Sequence, residues 1–268
     1  MQHELERFQQ ILTINARDRS DEVALQGATL RLTWMELLVE VGRRANALRE
    51  QAPGALVLAL DNGPEALLWD LAALIAERPC VFIPSFFSTA QFEHCLQQSG
   101  ATLALVEEQW NERLIEQGFN QDDGFWTRVV AVSAALPQGT AKITYTSGST
   151  GRPKGVCLSA DTMLRVAREL EAASRETAAH RYLAVLPLGV LLENLGVYAA
   201  LMASACVLLY PQTQLGISGA SQVDFKRLLG AIAMSGAHSL ILVPQLLMGL
   251  VTAIERGLMP VSYTHLTL

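Results

Sequence analysis

The chain has 268 residues, a formal net charge of −6 and 17% charged residues, whereas typical soluble domains carry about 25%. Hydrophobic residues make up 50% of it, which excludes a disordered acidic tail, because such tails combine low hydrophobicity with high charge. The 26 acidic against 20 basic residues also argue against a dedicated nucleic-acid binder, whose mark is a clustered basic excess.

The N-terminus predicts a helix rather than a secretory signal. It lacks the basic start, apolar centre and small-residue cleavage site of a signal peptide. One face of the predicted helix carries Leu5, Phe8, Ile11 and Leu12. The four cysteines are widely spaced without a CxxC pair, and the five histidines are scattered. We therefore expect reduced thiols in a cytoplasmic protein and no metal site set by spacing.

From residue 55 onward, short apolar runs alternate with segments of helical period. In the first predicted helix, Asp61 or Asn62 is the expected cap and Pro64 suits the first turn. In the second, Ser88 is the expected cap and Gly100 the stop. Such alternation predicts an α/β fold with parallel-rich sheets layered with helices, in one large domain or two small ones. The predicted strands are 55–60, 80–84, 103–106, 129–132, 142–146, 182–187, 206–210 and 239–244.

The longest apolar stretch, 183–210, raises the question of a membrane span. Glu193 and Asn194 lie in its middle, and Pro187 and Gly189 interrupt its first half. The uninterrupted remainder, 195–210, is shorter than a transmembrane helix, which needs about 20 apolar residues. We therefore predict buried elements of an α/β core and no transmembrane segment.

Two further groups of side chains are predicted to be structural. A helix stripe, capped near Ser159 or Asp161, should pack on the sheet, with Arg165 and Arg168 of that helix in solvent. The stripe consists of Met163, Leu164, Ala167 and Leu170. The aromatic residues expected in the core or at its edge are Trp34, Trp69, Phe82, Phe86 and Phe87.

Residues 142–158, KITYTSGSTGRPKGVCL, carry the clearest chemical signal. A strand leads into a loop of Ser, Gly and Thr, followed by a lysine. Glycines let backbone N–H groups approach phosphate oxygens, hydroxyls donate to them, and a lysine adds compact positive charge. The spacing is not that of a Walker A loop, because Pro153 precedes Lys154 and Gly155 follows it. A plain Gly/Ser linker is a poor explanation of the whole string.

This string resembles the phosphate-binding loop of the adenylate-forming superfamily, which includes acyl-CoA synthetases, luciferases and peptide-synthetase adenylation domains. That loop reads approximately (Y/F)-T-S-G-(S/T)-T-G-x-P-K-G-V, and residues 145–156 match it at every defined position. The segments 30–49, 71–107 and 185–198 are similar to other blocks of the family, so the resemblance covers roughly residues 20 to 260. Arg78 and Pro79 depart from it, because the family usually has small residues there.

The resemblance implies a site for ATP. The hydroxyls of the loop and its glycine N–H groups would hold the β- and γ-phosphates, and Lys154, the implied catalytic residue, would neutralise the departing pyrophosphate. Thr146 would be the loop's contact to Mg²⁺. The implied ATP-binding residues are Thr146, Ser147, Gly148, Ser149, Thr150, Gly151 and Lys154.

The block after the predicted strand 182–187 implies an acyl pocket. Val190 stands where the family often has a histidine or an aromatic residue, which favours a longer or bulkier aliphatic acyl group. Glu193 matches an acidic position of many fatty-acyl members, but a helix-terminal charge or a paired buried carboxylate explains it equally well. The implied pocket residues are Val190, Leu191, Glu193 and Asn194.

The implied reaction is ATP-dependent activation of a carboxylate, a fatty or other aliphatic acid, to an acyl-adenylate, with CoA as the acyl acceptor. Three alternatives remain open. The chain could load a carrier protein, act as a non-catalytic nucleotide-binding module, or be a membrane-associated interaction protein built on the apolar stretch 183–210.

The family's downstream motifs Y-G-x-T-E and T-G-D and its lysine-bearing lid domain are absent from this sequence. We therefore expect residues 1–260 to be the N-terminal part of an adenylation domain, inactive by itself. The last residues, 261–268, read VSYTHLTL and resemble a translated sequencing adaptor, although an ordinary C-terminal strand would also fit.

Overall fold

The computed structural model describes residues 3–130, 136–146, 153–177, 179–219 and 222–258. Three predictions fall wholly or partly outside these ranges. They concern the second half of the strand 129–132, the loop residues Ser147 to Gly151, and the tail 261–268.

Helices alternate with strands along the described residues. The helices are α1 (His3–Asp18), α2 (Trp34–Glu50), α3 (Pro64–Ile75), α4 (Thr89–Gln98), α5 (Asn111–Glu116), α6 (Ala160–Ser174), α7 (Leu191–Met202), α8 (Phe225–Ser235) and α9 (Pro244–Glu255). The strands are β1 (Val23–Gln26), β2 (Arg31–Thr33), β3 (Ala55–Ala59), β4 (Cys80–Phe82), β5 (Ala101–Val106), β6 (Asn120–Asp122), β7 (Phe125–Thr127), β8 (Thr140–Thr146), β9 (Lys154–Ser159), β10 (Arg181–Leu183), β11 (Cys206–Leu208), β12 (Ile217–Ser218), β13 (Gln222–Val223) and β14 (Ser239–Leu240).

The larger sheet has the order β6-β7-β5-β3-β4-β8-β9. Its centre, from β5 to β8, is parallel, and the pairs at both ends are antiparallel. All residues of β3 are buried, as expected for a parallel strand covered on both faces. The second sheet has the order β14-β10-β11-β1-β2, with only β2 antiparallel to its neighbour.

One apolar core joins both sheets. It contains side chains of α1, α2, α3, α6 and α7 together with strand residues of each sheet, among them Leu25 of β1 and Leu56 of β3. The predicted stripe on α6 is part of it, since Met163, Leu164 and Ala167 are buried. Sheets layered with helices around a shared core confirm the predicted fold class.

The apolar stretch 183–210 folds into the end of β10, then α7, then β11. Helix α7 has only 12 residues and is buried along most of its length. In the part of the chain that the structure describes, no helix has the length and apolar character needed to cross a bilayer.

Several local predictions were wrong. The cap of α3 is Gly63, without a side-chain bond, because the Asn62 side chain instead hydrogen-bonds to residues after β10. Val129 is fully exposed and lies outside any strand. Arg168 is not simply solvated, since its guanidinium lies 3.2 Å from a Glu4 carboxylate oxygen.

The predicted caps of α4 and α6, Ser88 and Ser159, are confirmed.

Arg78, one of the two departures from the family pattern, has a structural role. Its buried guanidinium donates hydrogen bonds to four backbone carbonyls, at 2.9–3.2 Å. These carbonyls belong to the end of α2 and the turn that follows, and a helix end leaves its last carbonyls without partners. Arg78 therefore closes the C-terminus of α2 against β4. The carbonyls are those of Leu48, Gln51, Ala52 and Gly54.

Candidate functional site

The phosphate-loop motif lies at the end of the β8–β9 hairpin. The two strands pair antiparallel from Thr140 opposite Ser159 to Thr146 opposite Lys154. Residues 147–153 therefore connect two strands in fixed register. Of the predicted ATP-binding residues, Ser147, Gly148, Ser149, Thr150 and Gly151 lie outside the described residues, as does the side chain of Thr146.

Lys154 is exposed at the first position of β9. Among the described residues its ammonium group forms no ion pair. Its charge is therefore available to an anion, which is the property that a phosphate-binding lysine requires.

The hairpin leaves the sheet at the edge where ligands usually bind. Strand β8 runs parallel to β4, and β4 runs parallel to β3. The C-terminal end of β8 and residues 61–62 after β3 therefore lie at the same, carboxyl, edge of the sheet. Open α/β sheets bind ligands in the crevice beyond this edge.

Buried amides connect this edge to the second sheet. The Asn62 side chain donates to the Leu186 carbonyl and accepts from the Leu188 N–H, both at 2.8 Å. The Gln212 side chain, which follows β11, donates to the Val185 carbonyl at 2.9 Å. The segments after β3, β10 and β11 therefore converge, and they bring the start of α7 to the side of the molecule that carries the loop.

The predicted acyl-pocket residues divide into two pairs. Val190 and Leu191 are half-buried at the start of α7, where the Val190 N–H donates to the Pro187 carbonyl at 2.8 Å. Glu193 and Asn194 are fully buried and bonded within the protein.

Glu193 is a buried carboxylate with two donors. The Tyr182 hydroxyl donates to it at 2.5 Å and the Leu186 N–H at 2.7 Å. Burial raises the pKa of Glu193 to about 7, while these hydrogen bonds act in the opposite direction. The carboxyl group therefore fixes the turn between β10 and α7 at the cost of poor solvation of its charge.

We expect Glu193 to lower the free energy of unfolding as the pH rises from about 4.5 to about 7. The pKa of Glu193 is about 7 in the folded chain and about 4.5 ordinarily. As the pH rises, the unfolded chain therefore loses this proton at a lower pH than the folded chain does. The stabilisation present below pH 4.5 is lost as the pH rises through 7, by about 3 kcal/mol in the free energy of unfolding. Urea unfolding of the wild type and of Glu193→Gln across this range measures the difference. Equal pH slopes in the two proteins would contradict it.

Asn194 belongs to a buried network that the sequence analysis missed. The Lys142 ammonium group of β8 donates to Asp70 at 2.5 Å, to Asn194 at 2.6 Å and to the Tyr198 hydroxyl at 3.2 Å. The second Asp70 oxygen accepts from Asn194 at 2.8 Å and from Tyr198 at 2.7 Å. All four residues are at most 4% exposed. The network joins α3, α7 and the strand that leads to the loop.

The described residues contain no group of three or more His, Cys, Asp or Glu side chains that could hold a metal ion. The predicted Mg²⁺ contact is the Thr146 side chain, which lies outside them. The exposed ammonium group of Lys154 at the end of the hairpin is compatible with an anionic ligand such as a polyphosphate.

Comparisons of sequence find much longer synthetases. Gramicidin S synthase 2 of Brevibacillus brevis is 26% identical over 168 residues, which are 60% of this chain and 4% of that protein. Pyochelin synthetase PchE of Pseudomonas aeruginosa is 30% identical over 204 residues, which are 75% of this chain and 14% of that protein. The chain therefore spans only a small part of these relatives.

Comparisons of structure find the same fold in ligases. A long-chain-fatty-acid-CoA ligase (FadD1) of Archaeoglobus fulgidus matches with a TM-score of 0.73 and 18% identity, over 93% of this chain and 54% of that one. The O-succinylbenzoate coenzyme A synthetase (MenE) of Bacillus subtilis, in complex with AMP, matches with a TM-score of 0.69 and 20% identity, over 90% and 63%. At these identities the matches show the fold.

The model of one protein family, described as AMP-binding enzyme, matches residues 12–265. This match covers nearly the whole chain and contains the hairpin with its phosphate-loop motif. The chain therefore belongs to the family of AMP-binding enzymes, as the resemblance in its sequence predicted.

Proposed function

We propose that this chain is part of an AMP-forming ligase that activates a carboxylic acid with ATP. A carboxylate oxygen attacks the α-phosphorus, the bond between the α-phosphorus and its bridging oxygen breaks, and pyrophosphate leaves. The observation that supports this most is the β8–β9 hairpin. It holds the motif TSGSTGRP between two strands in register and sets Lys154 exposed beside it.

Lys154 would stabilise the negative charge that develops on the departing pyrophosphate. Enzymatic transfer of phosphorus groups depends on positioning and charge stabilisation more than on covalent chemistry by the protein. The loop residues Ser147 to Gly151 and the contact of Thr146 to Mg²⁺ stay predictions of the motif. In this proposal Glu193 and Asn194 keep the start of α7 in place, and Val190 and Leu191 offer apolar surface to an acyl chain.

We propose an aliphatic acid as substrate and CoA as the thiol that takes the acyl group. Support for CoA comes from the matched structures of a fatty-acid-CoA ligase and a coenzyme A synthetase. A carrier protein is the second candidate acceptor. Support for it comes from the sequence relatives, which include a tripeptide synthetase of Streptomyces viridochromogenes.

The test is carboxylate-dependent exchange of pyrophosphate into ATP. Because the chain spans 54% and 63% of the matched ligases, the assay uses the protein that carries this sequence at its full natural length. The acids are acetate, octanoate, palmitate and a set of amino acids, and the control omits the acid. We expect exchange with octanoate or palmitate, and exchange with none of the acids would overturn the proposal.

The acceptor is tested separately with the acid that supports exchange. Mass spectrometry distinguishes an acyl-CoA from an acylated phosphopantetheinyl carrier protein. We expect the CoA thioester. A loaded carrier with no acyl-CoA would replace CoA by a carrier protein and leave the activation step intact.

A further inference from the structure

Helix α4 holds both strands that flank the loop 147–152, through two successive residues. The Tyr145 hydroxyl, near the end of β8, donates to the Cys95 carbonyl at 3.3 Å. The His94 ring meets the Tyr145 ring edge to face, with centroids 6.4 Å apart. A Cβ at Gly155 would lie 3.3 Å from that tyrosine ring, so glycine leaves room for the ring over β9.

His94 also holds the other side of the loop. Its Nε2 lies 2.9 Å from the carbonyl oxygen of Pro153. A carbonyl only accepts, so Nε2 carries the proton and donates. Pro153 has no N–H of its own, and its carbonyl is the backbone group immediately before Lys154. The imidazole therefore fixes the peptide from which β9 and Lys154 begin.

The helix that carries the donor is anchored at its N-terminus and on its buried face. Helix α4 begins with a capping box in which the Ser88 hydroxyl and the Gln91 side chain each bond the other residue's backbone. Phe92 is buried and stacks on Trp110 with ring centroids 4.1 Å apart. A positioning group is effective when the element that carries it is held in place by packing, and the helix that carries His94 meets this condition.

We propose that His94 is a positioning residue that sets the backbone of Lys154 for contact with the phosphates of ATP. The proposal rests on the proposed function, since Lys154 acts on ATP only if that function holds. A small displacement of a group that aligns reactants is costly, because catalysis depends on the geometry of the bound state.

The experiment compares His94→Ala, His94→Gln and Gln98→Ala. Glutamine keeps an N–H donor at a similar reach, and Gln98 is an exposed residue of the same helix. In the 268-residue chain, amide hydrogen exchange is measured at Lys154, Gly155 and Val156. We expect exchange about threefold to tenfold faster in His94→Ala, the effect of one hydrogen bond, and near wild-type rates in the other two variants.

The second readout is the KM for ATP against the KM for the acid, in the protein of full natural length. We expect His94→Ala to raise the KM for ATP about threefold to tenfold, with the KM for the acid unchanged and with recovery in His94→Gln. Equal rises in both KM values, or no recovery with glutamine, would indicate a general structural role and overturn the inference.

Failure of the two proposals is distinguishable. If the wild type catalyses exchange and His94→Ala matches it in both readouts, the inference is wrong and the proposed function stands. If the wild type supports no exchange with any acid, the proposed function is wrong, and a positioning role for an ATP-binding lysine falls with it.

Discussion

Lys142→Met should lower the free energy of unfolding by about 3–5 kcal/mol. The lysine is 4% exposed and contacts Asp70, which is 1% exposed. Methionine has a similar length but no charge, so the Asp70 carboxylate would stay buried without its cation. An uncompensated buried charge costs far more than an apolar side chain of similar volume recovers. Urea unfolding at neutral pH measures the loss.

Two further variants separate this explanation from simple repacking. The double variant Asp70→Asn and Lys142→Met removes both charges, and the amide introduced by Asp70→Asn could still accept from Asn194 and Tyr198. We expect the double variant to recover a large part of the lost free energy of unfolding. The double-mutant cycle gives the interaction energy between Asp70 and Lys142. Lys154→Met is the matched control at the exposed end of the same hairpin, with a change within about 0.5 kcal/mol. A loss below about 1 kcal/mol in Lys142→Met, or no recovery in the double variant, would contradict the role of the pair.

The parts of the fold that could be predicted are those that depend on residues close together in the sequence. Strand β3 is a continuous apolar run because both of its faces are covered. Ser88 and Ser159 precede their helices, and each hydroxyl accepts a backbone N–H of the first turn. The strand that leads into the phosphate-loop motif was predicted as 142–146, whereas β9, which follows the loop, is not among the predicted strands.

The parts that could not be predicted depend on partners far apart in the chain. Lys142 and Asp70 are 72 positions apart, and His94 and Pro153 are 59 apart. No periodicity of the kind that reveals strands or helices reports such pairs. Asn62 was predicted as a helix cap because only its neighbours in sequence were considered. Its actual partners are 124 and 126 positions away.

One signal could have revealed the buried network. Asp70 lies in the mostly apolar helix α3, and Asn194 lies in the mostly apolar helix α7. Ionisable residues are almost never fully buried unless they are paired. An aspartate inside a mostly apolar helix and a lysine inside a predicted strand of the sheet therefore suggest each other as partners.

Lys154→Ala should lower the rate of carboxylate-dependent ATP–pyrophosphate exchange by a factor of about 10² or more. The lysine is exposed and, within the described residues, unpaired, so its removal leaves the fold unchanged. The loss falls on the step in which charge develops on the pyrophosphate, because one preorganised donor there is worth about 3–4 kcal/mol. The exchange rate is measured at saturating acid in the protein of full natural length.

The control for Lys154→Ala is Lys226→Ala, which removes another exposed lysine, on α8. We expect wild-type exchange in Lys226→Ala and the same free energy of unfolding in both variants. Lys154→Arg should recover only part of the rate, because a planar guanidinium does not reproduce a compact ammonium charge. An unchanged rate in Lys154→Ala would show that this charge does not act on pyrophosphate. The contact between His94 and Pro153 would then hold the hairpin without serving the reaction. The exchange assay therefore decides whether Lys154 and His94 have a role in catalysis.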